Sequence, residues 1–300
     1  MTAVQRDDTP DEPVRPVRAG NGPTVLRIVL GAQLRRLRQA SNISAQEAGA
    51  AIRGSHAKIS RLELGRVGFR RRDVADLLTL YGVENEQKRH EFFSLAEQAN
   101  VPGWWHQYTD ILPGWFEYYL GLEQASSVVR TYEPHLVPGL LQTEDCARAV
   151  IRSGHPGAPA EDVERRVVLR MRRQQVLTQP DAPTVWVVVD EAALRRLGTA
   201  ATARAQIRHL IEIAELPNVT LQTMPFHAGT HPAAGVPFSI LRFCDPDLPD
   251  VVYLEQLTSA LYLDKRRDIE HYLKVMDQLC VQALHPAATL NFLARMSKYT

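Results

Sequence analysis

The sequence predicts an α+β protein in two parts: an all-helical, basic module of five helices, then a larger mixed α/β unit with a largely antiparallel sheet. Three observations carry this. Residues 44–65 read as two short helices around a tight turn. Between Val25 and Gly82, eleven Arg or Lys face four acids, a net of +7 in a 300-residue chain that is only +1 overall. Beyond residue 125, short β-branched runs alternate with amphipathic helices, the mark of an α+β unit. One core rarely serves three hundred residues. The expected division is 1–23, an N-terminal arm; 24–100, the helical module; and 101–300, the mixed unit.

Residues 1–23 carry Pro10, Pro13, Pro16 and Pro23 amid charges and few apolar side chains, so a disordered arm is expected there. Val25 to about Ala40 places Leu30, Leu34 and Leu37 on one helical face, with Arg35, Arg36 and Arg38 around the rest. Ser44 followed by Glu47 matches a capping box and opens a helix running to about Ile52. Gly49 inside it leaves room for a second helix to cross closely. Arg53-Gly54 breaks the pattern, with Gly54 suited to a left-handed turn. Ser55 caps the next helix, whose Ile59 and Leu62 share one face while Ala57, Ser60 and Arg61 share the other. A basic connection (Phe69–Arg72), a helix over Asp73–Tyr81 stopped by Gly82, and a fifth helix over Glu84–Asn100 complete the module.

The stretch SAQEAGAAIRGSHAKISRLELG resembles the helix-turn-helix of phage-repressor-type (XRE) regulators, most closely in its ending KISRLELG. Two positions depart from that pattern: Ala45 stands where the family commonly has a phosphate-touching Gln, and Arg53 where it usually has the turn Gly. The resemblance implies double-stranded DNA as partner, with the second helix in the major groove. His56, Ala57 and Arg61 would face base edges, with Ser60 beside them and Ser55 at the helix start. Lys58 and Arg66 would lie on phosphates. The basic window fits that reading. In related repressors a late arginine of the first helix pairs with an acid ending the recognition helix; the matching residues are Arg38 and Glu63. A homodimer reading an inverted repeat is expected, with Phe92 and Phe93 of the fifth helix or the C-terminal unit as the interface.

Seven of the chain's aromatics fall between Trp104 and Tyr119. Trp104, Trp105, Tyr108, Trp115, Phe116 and Tyr119 are candidates for an effector or partner surface; the competing reading is a seam that docks the second domain on the fifth helix. Strands are expected at 128–132, 184–189, 218–224, 238–243, 251–257 and 260–263, with helices at 142–151, 161–177, 192–197, 203–215, 266–284 and 287–298. Segments such as PGWFEYYLGLE, RTYEPHLVPGLLQTEDCARAV, ERRVVLRMRRQQVL, VVVDEAALRR, ELPNVTLQTMPF and DVVYLEQLTSALYLDK resemble the C-terminal domain of actinobacterial XRE-type regulators, to which no activity is assigned. That resemblance spans about Val25 to Lys298. It implies a regulator of development or secondary metabolism, often encoded beside a small partner protein that would act as effector. The alternative is an antitoxin-like protein that neutralises such a partner and autoregulates its promoter.

No nucleotide-binding, zincin, hydrolase or kinase motif is present, and an enzyme, a cofactor and a metal are not expected. His227 and His231 are four apart, but the Gly and Pro around them make a loop, without a third ligand. Asp190-Glu191 after a buried strand is read as a helix cap and arginine partner rather than an acid–base pair. Arg165, Arg166, Arg170, Arg172 and Arg173 make a basic helix, either a phosphate-contacting or a solvated face. Cys146, Cys244 and Cys280 are few, odd and far apart, which suits a reducing cytoplasm. The aliphatic runs are too short to span a bilayer.

Overall fold

Pro23 has no amide hydrogen to leave unpaired at a helix start, and it opens the first helix, α1 (Pro23–Ala40), behind Gly22. A computed structural model describes residues 22–233, 235–244 and 248–299. The expected arm therefore lies outside the described residues up to position 21. The chain divides into two compact units between Pro102 and Gly103.

The first unit holds α1, α2 (Ala45–Ala51), α3 (His56–Glu63), α4 (Arg71–Leu80) and α5 (Glu86–Ala99). Its core comes from the periodic apolar positions: Leu30 and Leu34 of α1, Ile59 and Leu62 of α3, Leu77 and Leu78 of α4, and Phe92 of α5 are almost completely buried. Phe92 therefore cannot supply a dimer surface; α5 spends it on the core, and Phe93 instead lies under the Arg71 guanidinium, 4.3 Å from the ring centre. Arg71 and Arg72, expected in a connection, form the first turn of α4. Asn100 closes the unit by pairing with both backbone groups of Phe69, accepting its N–H at 2.9 Å and donating to its carbonyl at 2.6 Å. Arg27 donates to the carbonyl of Ala99 at the end of α5.

The second unit is built on one six-stranded sheet: β1 (Val128–Glu133), β2 (Thr184–Asp190), β3 (Val219–Met224), β4 (Phe238–Arg242), β5 (Val251–Glu255) and β6 (Ala260–Leu263). Their order is β3-β2-β1-β4-β5-β6. β1 pairs antiparallel with β4, β4 with β5 and β5 with β6. On its other side β1 pairs parallel with β2, and β2 with β3. The sheet is thus mixed, antiparallel in three ladders of five. The parallel half exists because helices fill the crossovers: α7 (Glu144–Gly154) and α8 (Ala160–Gln174) lie between β1 and β2, and α9 (Glu191–Leu194) and α10 (Ala200–Ile213) between β2 and β3.

Strand alternation gives the sheet two unlike faces. One carries Tyr132, Val188, Ile240 and Val252, buried against Ile269, Met276 and Leu279 of α11 (Arg266–Gln282). Arg130 points the same way and pairs with Asp277 at 2.7 Å. The edge strand β3 is covered where Thr289 of α12 (Pro286–Tyr299) accepts the N–H of Thr223. The opposite face has a polar patch at its centre. Thr131, Ser239 and Tyr253 stand in register there, with Thr131 and Ser239 hydrogen-bonded at 2.9 Å. Tyr119 of α6 (Gly114–Ala125) packs on Tyr253, with ring centres 4.2 Å apart.

Among the described residues no helix is long and apolar enough to cross a membrane. All three cysteines are free; Cys146 is buried, and burial raises its thiol pKa to about 11.

Candidate nucleic-acid interface

The capping box at α2 is complete. Ser44 Oγ accepts the Glu47 N–H, and the Glu47 carboxylate accepts the Ser44 N–H at 2.8 Å. The Ser44 hydroxyl also donates to that carboxylate at 2.7 Å, and this bond together with the one from the Ser44 N–H holds the Glu47 pKa below its ordinary value. Gly49 lies where the start of α3 approaches: a Cβ there would come within 2.9 Å of the Ser55 carbonyl carbon. The turn itself differs from expectation. Arg53, not Gly54, takes the left-handed conformation, with φ of 51°. The helix-ending position is thus the one where related motifs usually place glycine, and an arginine occupies it here.

Ser55 then caps α3 by accepting the Lys58 N–H at 3.3 Å. Ile59 and Leu62 face the core, which leaves His56, Ala57, Ser60 and Arg61 exposed together. At the far end Gly65, with φ of +66°, turns the chain close over α1; a Cβ there would meet the Ile28 nitrogen at 2.6 Å. Arg66 follows and is exposed.

Two ion pairs hold this helix from either side. Arg38 grips Glu63 with two hydrogen bonds of 2.5 and 3.0 Å, and also donates to the Ile43 carbonyl at 2.9 Å. With side chains 13% and 9% exposed, this pair is nearly dry. Glu63 thus points inward, and its hydrogen bond pushes the Arg38 pKa above its ordinary value. Beside the pair, burial and the Glu63 charge push the Tyr81 hydroxyl pKa up as well. On the other flank Lys58 donates to Asp73 of α4 at 2.5 Å. Lys58, expected on a phosphate, is in the free protein committed to an otherwise buried carboxylate. The fork between Lys58 and Asp73 was not legible, since fifteen residues and a turn separate them.

For a polyanion the unit offers exposed arginines before, on and after α3: Arg53 in the turn ahead of it, Arg61 on it, Arg66 behind it, and Arg70 and Arg72 at the start of α4. Of these, Arg61 bonds only weakly to the Ala57 carbonyl, at 3.4 Å, and Arg72 lies 3.8 Å from Asp76. A helix with a polar, cation-bordered edge and a dry inner face is suited to entering a DNA groove.

The other expected residues lie in the second unit. Trp105, Tyr108 and Tyr119 are buried, and Trp104, Trp115 and Phe116 half-buried. They are packed by the unit itself: Arg172 stacks over Trp104, Phe116 on Tyr119, and Tyr262 donates to the Trp115 carbonyl. Trp115, Phe116 and Tyr119 also border a cavity of about 1240 Å³. The basic helix α8 is not a phosphate-contacting or solvated face: Arg173 is locked to buried Glu123 at 2.5 Å, Arg165 to Asp110 at 2.5 Å, and Arg170 to Gln142 at 2.7 Å. Only Arg172 of that set is exposed. Asp190 caps α9 through the Ala192 N–H, and Glu191 binds Arg195. His231 contacts Tyr132 at 3.2 Å, away from exposed His227.

Comparison with protein families agrees with this division. Residues 29–92 match a helix-turn-helix domain, and residues 116–295 match a domain of unknown function (DUF5753). No curated protein and no solved structure matches the chain.

Proposed function

From the premise that the chain belongs to the DUF5753 family and carries a helix-turn-helix domain ahead of it, we propose that it is a sequence-specific transcriptional regulator of the XRE type. The observation that carries this reading is the exposed edge of α3, His56, Ala57, Ser60 and Arg61, set on a helix clamped by two ion pairs. Arg61 is assigned a base contact and Arg66 a phosphate. The protein acts in the cytoplasm, without catalysis, as a homodimer on an inverted repeat whose half-sites lie about one helical turn apart. Its second unit takes an effector that alters DNA affinity. The family resemblance favours a small protein as that effector; the cavity beside Trp115, Phe116 and Tyr119 supports a small molecule instead.

The test starts from selection of bound duplexes out of a random library, which should return an inverted repeat. On that operator, Arg61→Ala should lose about 1–3 kcal/mol of discrimination at one base pair per half-site. Arg66→Ala should weaken all sequences alike and reduce the salt slope by about one. Unchanged specificity in Arg61→Ala would overturn this placement of α3, and sedimentation of a monomer both free and on DNA would remove the dimer.

A further inference from the structure

The arginines of α8 do not all find acids. Arg165 and Arg173 are fully engaged by Asp110 and Glu123. Arg166 and Arg170 are not. They stand four residues apart, on one helical face, and both border the 1240 Å³ cavity. Arg166 is half-buried and its Nε is shielded from solvent without a hydrogen-bond partner; Asp162 and Asp110 act on it through their charge, but among the described residues neither bonds to it. Arg170 has only the neutral amide of Gln142. Burial and the nearby Arg173 lower the Arg170 pKa to about 10, and burial alone lowers that of Arg166. Two adjacent, poorly solvated cations destabilise a fold unless an anion joins them.

The rest of the cavity names the body such an anion would carry. Its walls include Trp115, Phe116, Tyr119 and Leu169, with Val185 and Val187 on the sheet. Its volume exceeds the 300–1,000 Å³ typical of small-molecule sites. The carboxyl of Glu133 also faces it; burial and the charge of Glu255 raise its pKa to about 8, so at neutral pH it is largely a protonated hydrogen-bond donor. Asp110 and Glu255 line the same cavity; Asp110 is already bound by Arg165, so Glu255 is the carboxylate whose charge an incoming anion meets beside Arg170.

We propose that this cavity binds a small organic acid, its anionic head held between the guanidinium groups of Arg166 and Arg170 and its apolar body lying against Trp115, Phe116 and Tyr119. The inference rests on the reading of the second unit as the effector-binding half, and it supplies the chemical class of the effector. A planar carboxylate or similar oxyanion accepts two parallel bonds from a guanidinium edge, and here two such edges are presented one helical turn apart.

The experiment uses the full chain and two fluorescent probes of similar shape, 8-anilinonaphthalene-1-sulfonate and the uncharged N-phenyl-1-naphthylamine. The sulfonate should bind saturably, one per chain, at least tenfold more tightly than the uncharged probe. Arg166→Gln should weaken the sulfonate at least tenfold, leave the uncharged probe within twofold, and melt no lower than the wild type, because Arg166 makes no bond that its loss would break. Equal binding of the two probes by the wild type would overturn the proposal without reference to any variant. So would a sulfonate affinity unchanged in Arg166→Gln, or no saturable binding. Neither readout involves DNA. Anion binding that leaves operator affinity unchanged would remove the regulatory role and keep the site, whereas DNA binding without anion binding would remove the site alone.

Discussion

At the scale of single residues, the most unusual choice is Arg53. Left-handed backbone costs a residue with a Cβ about 1–2 kcal/mol, and Arg53 bears it at φ 51°. Part of that penalty returns on substitution by glycine, since glycine loses more entropy on folding. Arg53→Gly should therefore stabilise the first unit by about 0.5–1 kcal/mol, raising its melting temperature by a few degrees, while weakening DNA binding through the lost charge. A lower melting temperature would show that the side chain supports the turn. Arg38 makes the opposite case. Its removal strands the Glu63 carboxylate in a nearly dry setting, so Arg38→Ala should cost about 3 kcal/mol by denaturant unfolding. A loss below about 1 kcal/mol would mean the pair behaves as a surface bridge.

Among elements, the packing of α2 on the start of α3 depends on Gly49. The close approach is to backbone, which cannot swing aside as a flexible side chain would. Gly49→Val should lower stability by about 1–3 kcal/mol and weaken DNA binding by tilting α3; a thermal melt and an operator titration read the two effects. Much at this scale was legible. Ser44 with Glu47 marked the start of α2, the Ile59–Leu62 spacing marked the inner face of α3, and β2 was visible as a β-branched run, whereas β6, with the sequence ALYL, had only its apolar character to show it. Strand direction was less so. The unbroken run Val185–Val189 does carry the mark of a strand buried on both faces, but period and propensity alone cannot say which neighbours it pairs with. The fates of the α8 arginines were illegible for a similar reason. Their partners, Asp110, Glu123 and Gln142, come from distant segments, and a helix rich in arginine looks the same whether it faces solvent or a carboxylate-lined interior.

Over the whole molecule, the second unit holds both signs of charge in quantity, and its buried acid Glu133 should show in its pH response. Glu133 has an ordinary pKa near 4.5 that the fold raises to about 8. Its contribution to stability is complete below about 4.5 and is lost as pH rises towards 8. The second unit should thus melt progressively lower between pH 5 and pH 9, and Glu133→Gln should flatten that decline. Equal slopes in both proteins would show that Glu133 is ionised at little penalty. The sheet order has a consequence of another kind, for the chain as it is made. β1 is central, with β2 on one side and β4 on the other, yet β1 ends at Glu133 and β4 begins only at Phe238. At roughly 5–20 residues per second, a ribosome needs on the order of five to twenty seconds to deliver that second neighbour. Throughout that interval one side of the central strand has its amides and carbonyls unmatched, open to whatever extended segment arrives first. β4, made late, thus completes the middle of the sheet, and a transcript cut short before Phe238 would release a nascent chain with one edge of its central strand uncovered.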